Sequence, residues 1–350
     1  MHNQPVAHGI DDVARAAGVS TATVSRALRG MPNVSAKTRE HVLSVASEMG
    51  YRASPLAAAL ASGRTHTIGL LTPWVNRWFF SNVIEGAERA LREVGFDVLL
   101  YSFAVSENGR TPRVDPDVLR RRVDGILVVG LPLEDTEVRS LETLGKPIVF
   151  IGSGSSDHPI VGIDDVRLSV EAVRYLLSLG HRNIGHITGT PDDLRRWTPP
   201  VDRRQGWLTA LEETGVAADP RWEEFGFFDI DGGKESARRL LERAPELTAL
   251  FVASDEMAMG ALLAARECGI RVPEELSIVG VDGHEISELV GLTTMSQPVV
   301  SQGATAAALV LDLIAGRPVD RRVVFDAELV VRGTTGPPRE GVLRMGGPGL

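Results

Sequence analysis

Apolar residues recur at helical spacing through the first 50 positions of the chain. In the first segment four of them follow the i, i+3, i+4, i+7 pattern of one helix face, namely Ile10, Val13, Ala14 and Ala17. Gly18 follows at once and predicts the end of that helix, because glycine readily adopts the left-handed conformation of a helix C-terminus. Ser35 caps a later helix that ends at Gly50. Its apolar positions are Val42, Val45, Ala46 and Met49.

The helix between these two has one apolar and one polar face. Ser20 is its predicted N-cap, and Val24 and Leu28 are its predicted core residues. The opposite face carries short or cationic side chains, namely Thr21, Ala22, Ser25, Arg26 and Arg29. Two short helices joined by a glycine-containing turn, the second with a small polar outer face, are typical of a helix-turn-helix. Small side chains let such a helix approach base edges in the DNA major groove, and an arginine reaches a guanine or a phosphate.

From Thr67 onward, short apolar runs alternate with helical stretches. The runs are TIGLLT, VLLYS, GILVVG, PIVFIG, NIGHIT, ALFVAS and SIVGVD. Continuously apolar runs predict strands that are covered on both faces, as in parallel sheets flanked by helices. About 270 residues of this pattern are too many for one sheet, so we expect an α/β architecture of two doubly wound subdomains. A ligand would bind in the cleft between them, at the carboxyl ends of the strands.

The charge of the chain is unevenly distributed. The 350 residues are 43% hydrophobic and 24% charged, as in ordinary globular proteins, and the formal net charge is −9. Residues 1–64 hold seven Lys/Arg against four Asp/Glu, a net of +3, whereas the remainder holds 30 against 42, a net of −12. A cationic N-terminal part on an acidic body indicates that only the first part binds nucleic acid.

Cysteine content and the length of apolar runs further limit the class of protein that the sequence can encode. Cys268 is the one cysteine, which excludes an internal disulfide and a cysteine-rich metal site. No N-terminal leader pattern and no apolar run of about 18 residues is present. We therefore expect a cytoplasmic protein that needs no metal, cofactor or membrane.

The stretch IDDVARAAGVSTATVSRALRG, which begins at Ile10, resembles the opening of the LacI/GalR family of bacterial transcription regulators nearly position by position. The resemblance implies that the second helix reads the major groove, with base contacts from Thr21, Ala22 and Arg26. It also implies phosphate contacts from Ser20, Thr23, Ser25, Arg29 and Asn33. Arg29 stands where the family usually has Asn, and we expect a phosphate contact from it.

After Gly50 the run YRASPLAAALASGRT resembles the family's hinge helix with departures. Ala53-Ser54 replaces the usual Pro-Asn pair, and Pro55 suits a first helical turn. Leu60 falls where the family inserts a leucine into the minor groove, an apolar wedge that kinks the duplex. Because a helix this short is marginal in water, we expect it to form only when the dimer and DNA supply packing.

The resemblance continues to about Thr335 through NRWFFSNVIEGAERA, RRQGW, TALFVASDEMAMGAL and GIRVPEELSIVGVD. In this family the cleft binds a small effector, commonly a sugar or a nucleobase. The matching motifs imply effector contacts from Phe80, Arg203, Phe228, Asp255 and Gln297, with Trp74 and Trp197 as nearby candidates. Arginine and aspartate orient a polyol by complementary hydrogen bonds, and an aromatic ring suits the C–H face of a sugar. Gly152-Ser153 stands where many members carry Asp-Arg, and Ser254 replaces a common Asn, so a sugar is favoured with a different hydrogen-bond pattern.

These motifs set the expected domain boundaries. We expect a helix-turn-helix domain at 1–52, a hinge helix at 53–65, an effector-binding and dimerisation domain at 66–332 and a flexible tail at 333–350. The two subdomains are expected at 66–163 plus 293–320 and at 164–292 plus 321–332. The tail is expected to be loose because the last 18 residues hold six Gly and three Pro.

Two other functions compete with a regulator. A nucleotide-dependent enzyme needs a phosphate-binding fingerprint, but GSGSSD lacks the third glycine and precedes no helix. His181 and His186 have the wrong spacing for two metal ligands on one helical face. A periplasmic sugar-binding protein would need an export signal and would have no use for residues 1–64. We therefore expect a homodimeric repressor, not an enzyme, that binds a palindromic operator and a sugar effector.

Overall fold

The computed structural model describes residues 9–28, 31–51, 64–103, 114–154, 157–190 and 198–343. It divides into two compact units, one up to Thr65 and one from His66 onward. The described part of the first unit is helical, and the second unit contains two sheets.

The helices of the first unit are α1 (Ile10–Ala17), α2 (Thr21–Leu28) and α3 (Ala36–Glu48). Gly18 ends α1 in the left-handed conformation with φ 65°. The Ser35 hydroxyl caps α3 by accepting a backbone N–H at 3.1 Å. The core of the unit consists of small apolar side chains, namely Val13, Ala14, Ala17, Val24, Ala27, Val42 and Ala46. Leu28, which the pattern places in this core, is half-buried at its edge.

The strands of the second unit are β1 (Thr67–Thr72), β2 (Asp97–Ser102), β3 (Gly125–Val129), β4 (Ile148–Ile151), β5 (Ile160–Ile163), β6 (Ile184–Thr188), β7 (Glu223–Phe225), β8 (Ala249–Val252), β9 (Ser277–Asp282), β10 (Thr293–Ser296), β11 (Arg322–Phe325) and β12 (Glu328–Val330). Its helices are α4 (Trp78–Glu93), α5 (Asp135–Glu142), α6 (Asp165–Ser178), α7 (Thr198–Glu213), α8 (Ile230–Arg243), α9 (Asp255–Glu267), α10 (Glu285–Leu289) and α11 (Val299–Ile314). The first sheet has the order β11-β5-β4-β3-β1-β2 and the second β12-β10-β9-β8-β6-β7. Neighbouring strands are parallel except β10 and β12.

The chain passes from one subdomain to the other after β5, between β10 and α11, and between β11 and β12. The expected division at 293–320 and 321–332 is therefore wrong at both ends. β10 pairs with β9 of the second sheet, with Thr293 opposite Val279, while β11 pairs with β5 of the first sheet, with Arg322 opposite Ile160. α11 packs on the first sheet and on α4, where a Cβ on Gly86 would lie 2.0 Å from the Val300 carbonyl oxygen.

The expectation of a flexible tail is wrong for residues 333–343, which pack on the second subdomain. The Thr334 hydroxyl donates to the Ile278 carbonyl at 2.7 Å. The Arg339 guanidinium donates to three carbonyl oxygens at 2.7–2.8 Å, those of Pro245, Leu247 and Glu275. Leu343 is 6% exposed within the core of this subdomain. Glycine and proline disfavour a helix here, and hydrogen bonds from Thr334 and Arg339 together with burial of Leu343 hold the segment on the subdomain. Residues 344–350 lie outside the described part.

Candidate functional site

The outer face of α2 is the candidate DNA-reading surface. Thr21, Ala22 and Arg26 are all exposed, whereas Val24 and Ala27 on the opposite side are buried in the helical core. The structure therefore brings the three predicted base-reading residues together on one accessible helix face. A short helix with two small side chains and one arginine on its free face can enter a major groove.

The predicted phosphate-contacting residues lie around the start of α2. The Ser20 hydroxyl accepts the Thr23 N–H at 3.2 Å and lies 2.9 Å from the Thr23 hydroxyl, so the two residues cap this helix. Ser25 is half-buried, and Asn33 is exposed with φ 78°, in a conformation that asparagine tolerates better than most residues. Arg29 and Leu60 lie outside the described residues, and their predicted contacts stay predictions.

The cleft of the second unit lies where the carboxyl ends of the two sheets meet. It contains two chambers that both touch Gly152, at the end of β4. The inner chamber, of about 50 Å³, is lined by aromatic and charged groups, among them Arg77, Phe79, Phe80, Arg203, Phe228, Ser254, Glu256 and Asp282. The outer chamber, of about 260 Å³, is lined by glycines, aliphatic residues and three charged groups, among them Gly154, Gly162, Ile163, Asp165, Thr198, Asp202, Arg322 and Val323.

Arg203 joins the two chambers. Its guanidinium is buried and donates to Asp165 Oδ1 at 2.7 Å and to the Ala253 carbonyl oxygen. Asp282 Oδ1 lies 3.8 Å from Arg203 Nη1 on the other side. Arg203 thus stands between two acids, one in each chamber. Predicted from the sequence as an effector contact, it lines the inner chamber.

Asp282 is the acid of the inner chamber, and sequence reasoning missed it. Its backbone φ is 125°, in the region that favours glycine, and this conformation lies at the carboxyl end of β9. Burial raises the pKa of Asp282 to about 8, because Arg203 only partly offsets the loss of water and the charge of Asp255. The signal that could have found Asp282 is its position directly after the last buried run, SIVGV.

Asp255 was predicted to contact the effector, but the structure places it behind the wall of the cleft. It is 0% exposed and lines neither chamber. Four donors reach its carboxylate within 2.7–3.0 Å, namely Gly283 N, His284 N, Ser287 Oγ and Thr294 Oγ1. Burial raises its pKa to about 6 while these hydrogen bonds oppose the shift. Asp255 therefore holds the loop that directly follows Asp282, the last residue of β9.

Gln297 contacts Asp282 rather than the open cleft. Its amide Nε2 donates to Asp282 Oδ1 at 2.7 Å, and its Oε1 accepts from Gln302 Nε2 at 2.9 Å. Gln297 is 5% exposed and lines neither chamber, so the geometry makes it a positioning residue for Asp282.

The predicted aromatic contacts are divided between the lining and its support. Phe80 and Phe228 line the inner chamber, together with Phe79, which the sequence reasoning did not select. Trp74 lies behind Phe80, with ring centroids 5.3 Å apart in an edge-on arrangement, and does not line either chamber. Trp197 lies outside the described residues.

Arg77 and Trp78 of the first subdomain reach across the cleft mouth to the second. Arg77 Nη1 donates to the carbonyl oxygens of Phe227 and Phe228 at 2.6 and 2.5 Å. Arg77 Nη2 lies 3.4 Å from Asp229 Oδ2. The Trp78 indole stacks on His284 with centroids 5.2 Å apart, and its N–H donates to Glu285 Oε2. We call Arg77, Trp78 and these partners the latch. It joins residues about 150 and 200 positions apart, and Arg77 lines the inner chamber.

Comparison with known proteins identifies the family. Residues 9–54 match the bacterial regulatory proteins of the lacI family, and residues 173–335 match the periplasmic binding protein-like domain. The chain is 37% identical over 338 residues to the HTH-type transcriptional regulator DegA of Bacillus subtilis, covering 94% of this chain and 98% of DegA. The chain belongs to the LacI family. This LacI-family protein is therefore a DNA-binding transcriptional regulator, and the relatives it matches are regulators rather than enzymes.

Solved LacI-family structures have the same architecture. The lac repressor dimer bound to operator and the anti-inducer ONPF has a TM-score of 0.82 to this chain at 27% identity, covering 95% of this chain and 100% of that one. A CelR–cellobiose complex has a TM-score of 0.69 at 31% identity, covering 93% and 99%. The predicted fold, a helix-turn-helix followed by two parallel-sheet subdomains, is confirmed.

Across the described ranges no three His, Cys, Asp or Glu side chains are grouped so that they could hold a metal ion. None of the helices described above is long and apolar enough to cross a membrane.

Proposed function

We propose that this LacI-family regulator is a homodimeric repressor whose affinity for a palindromic operator is controlled by a sugar bound in the cleft. The observation that carries the proposal is the buried Arg203 between Asp165 and Asp282, at the meeting point of the two sheets. An arginine flanked by two carboxylates, with aromatic rings beside it, offers donors, acceptors and flat apolar surface to a polyol. The cytoplasmic location stays a prediction.

The relatives support both partners of the proposal. The lac repressor structure contains a dimer on operator DNA with the small molecule ONPF, and the CelR structure contains cellobiose. In this chain, the exposed Thr21, Ala22 and Arg26 supply the base-reading face. Arg26 is the residue whose length reaches a guanine edge, while Thr21 and Ala22 set how closely α2 approaches the bases.

A homodimer is supported by apolar side chains that a monomer would leave in water. Leu289 is 84% exposed, and Ile286 and Val290 beside it are 43% and 42% exposed. Large apolar side chains clustered at the surface typically mark an interface. Two-fold symmetry would place two copies of α2 on successive major-groove faces, as a palindromic operator requires.

The inner chamber offers an effector that enters it an acid, a donor and two aromatic rings. We assign the acid that receives effector hydroxyls to Asp282, held in place by Gln297, and the matching donor to Arg203. Phe80 and Phe228 supply the ring faces. We assign no effector contact to Asp255, Trp74 and Gln297, which support the lining residues from behind.

Selection from random duplex DNA tests the proposal. Purified full-length protein should enrich one palindromic sequence, and Arg26→Ala should lose that preference while Arg15→Ala, an exposed cation on α1, keeps it. A sugar from a broad panel should then change affinity for the selected duplex about 5- to 150-fold. A sugar that weakens binding is an inducer, and one that strengthens it is a corepressor. If the wild-type protein enriched no sequence more strongly than Arg26→Ala does, the proposed DNA function would be contradicted.

A further inference from the structure

The outer chamber is the larger of the two spaces in the cleft. An engineered protein cavity of about 150 Å³ binds benzene, so a chamber of about 260 Å³ holds a six-membered ring with substituents. The inner chamber, of about 50 Å³, does not. With the latch contacts formed, the space for a ligand ring therefore lies beside Asp165. Arg203 separates this space from Asp282.

Three glycines of this chain create that space. Gly152, Gly154 and Gly162 all line the chamber without side chains. Gly152 has φ +82°, and a Cβ on Gly162 would lie 3.6 Å from the Gly152 carbonyl oxygen, in ordinary van der Waals contact. A larger side chain at Gly162 would thus be tolerated by the backbone and would fill the chamber.

The carboxylates of the chamber accept few hydrogen bonds from the protein. Asp165 receives one hydrogen bond from Arg203, and Asp202 is half-buried. Within the described part of the chain no hydrogen bond to the Asp202 carboxylate is formed, although Arg322 attracts it electrostatically. Burial, followed by the charges of Asp165 and Asp164, raises the pKa of Asp202. Hydroxyl groups would supply the missing donors.

The same groups disfavour an anion. Two carboxylates, Asp165 and Asp202, line the space, and Asp164 lies near enough to raise the pKa of Asp202, whereas Arg322 is the cation that lines it. This excess of negative charge disfavours a phosphate. The start of α7 does not compensate, because the helix begins Thr198-Pro199-Pro200 and two of its first three residues have no N–H to donate. On the other wall, Ile163 and Val323 offer an apolar surface to the C–H groups of a ring.

We propose that the outer chamber is the ring-binding subsite of the effector cleft, and that it takes a non-anionic, polyhydroxylated ring recognised by Asp202, Asp165 and Thr198. This assignment rests on the proposed function, since it names the effector's class and the residues that select it. An effector with a second ring would extend past Arg203 into the inner chamber once the latch opens.

Calorimetric titration of the full-length protein tests the assignment. The probes are a panel of neutral hexoses, pentoses and disaccharides, each hexose paired with its 6-phosphate. A neutral sugar should bind and its phosphate should bind at least about tenfold more weakly. Asp202→Asn keeps the shape of the side chain and should weaken the neutral sugar about tenfold. Gly162→Val should abolish binding by filling the space. Glu212→Gln, an exposed acid on the same helix, is the matched control and should bind as the wild type does.

The outcomes separate this inference from the proposed function. Tighter binding of a sugar phosphate, or unchanged affinity in both Asp202→Asn and Gly162→Val, would overturn the subsite. If no sugar of the panel binds while the protein still selects a palindromic duplex, the subsite fails and the DNA function stands. All variants should retain wild-type affinity for the selected duplex without sugar, which shows that they are folded.

Discussion

Replacing Arg77 by alanine should release the two subdomains from each other at the cleft mouth. The Arg77 side chain is 18% exposed, and each of its two hydrogen bonds to carbonyl oxygens contributes about 1.5–3 kcal/mol because the donor is charged. The ion pair with half-exposed Asp229 adds less than about 1 kcal/mol, and contact with the Trp74 ring adds about 0.5–1 kcal/mol. Phe227 and Phe228 are both held in the left-handed region, at a cost of about 1–2 kcal/mol each. The contacts of Arg77 therefore favour the closed arrangement by about 3 kcal/mol.

Amide hydrogen exchange on the ligand-free protein measures how much stability the closed arrangement loses without Arg77. The Gly232 N–H donates to Asp229 Oδ1 at 2.6 Å and the Gly233 N–H to the Asp229 carbonyl at 2.9 Å, so both report on the turn that Arg77 holds. In Arg77→Ala their exchange should accelerate by about 100-fold, as a loss of about 3 kcal/mol requires. Arg89→Ala, which removes an exposed cation of α4 paired with Glu85, is the control. Equal exchange in the two variants would refute the reasoning, because the latch would then contribute nothing to closure.

Three further predictions concern buried charge and base reading. Arg203→Ala leaves Asp165 without its buried counter-charge and should lower the free energy of unfolding by about 3–5 kcal/mol in urea titrations, as well as abolish the effector response. Unchanged stability would contradict a stabilising Arg203–Asp165 pair. Asp282 has a folded pKa of about 8 against about 3.9 in the unfolded chain, so its contribution to stability is complete below about pH 4 and is lost as the pH rises to 8. The stability of the wild type should therefore fall relative to Asp282→Asn across that window, and parallel pH profiles would count against it. Arg26→Ala should lose about 1–3 kcal/mol of discrimination at one base pair in competition binding, whereas uniform weakening would indicate a phosphate contact.

The sequence predicted elements better than their assembly. Helices α1 to α3 and the buried strands follow from local periodicity and caps, because each decision depends on residues within one or two turns. The sheet that accepts a short edge strand depends on partners far along the chain. β11 pairs with β5 about 160 positions earlier, and nothing within Arg322–Phe325 specifies that pairing. The subdomain boundaries after residue 292 were misjudged for this reason.

The same dependence on distant partners decided which cleft residues could be predicted from the sequence. Arg203 was found because its motif is distinctive. Asp255 and Asp282 each follow a buried strand, and the sequence alone does not show which carboxylate turns toward the cleft. The structure decides it, since the loop after β9 donates two backbone N–H groups to Asp255 and leaves Asp282 beside Arg203. Arg77 was not selected at all, because its partners are carbonyl oxygens whose positions only the fold determines.

The hydrogen bonds of the cleft end at a segment that crosses between the two subdomains. Asp165 of the outer chamber binds Arg203, which faces Asp282, and Asp282 accepts from Gln297. Gln297 lies between β10 of the second sheet and α11 on the first, and Gln302 of α11 donates to it. A sugar hydroxyl that competes for Asp165 therefore changes the electrostatic balance around Arg203, and the change reaches a crossing between subdomains through two hydrogen bonds. In turn, α11 packs on α4, which begins beside Arg77. We therefore expect a ligand in the proposed outer subsite to change the stability of the latch.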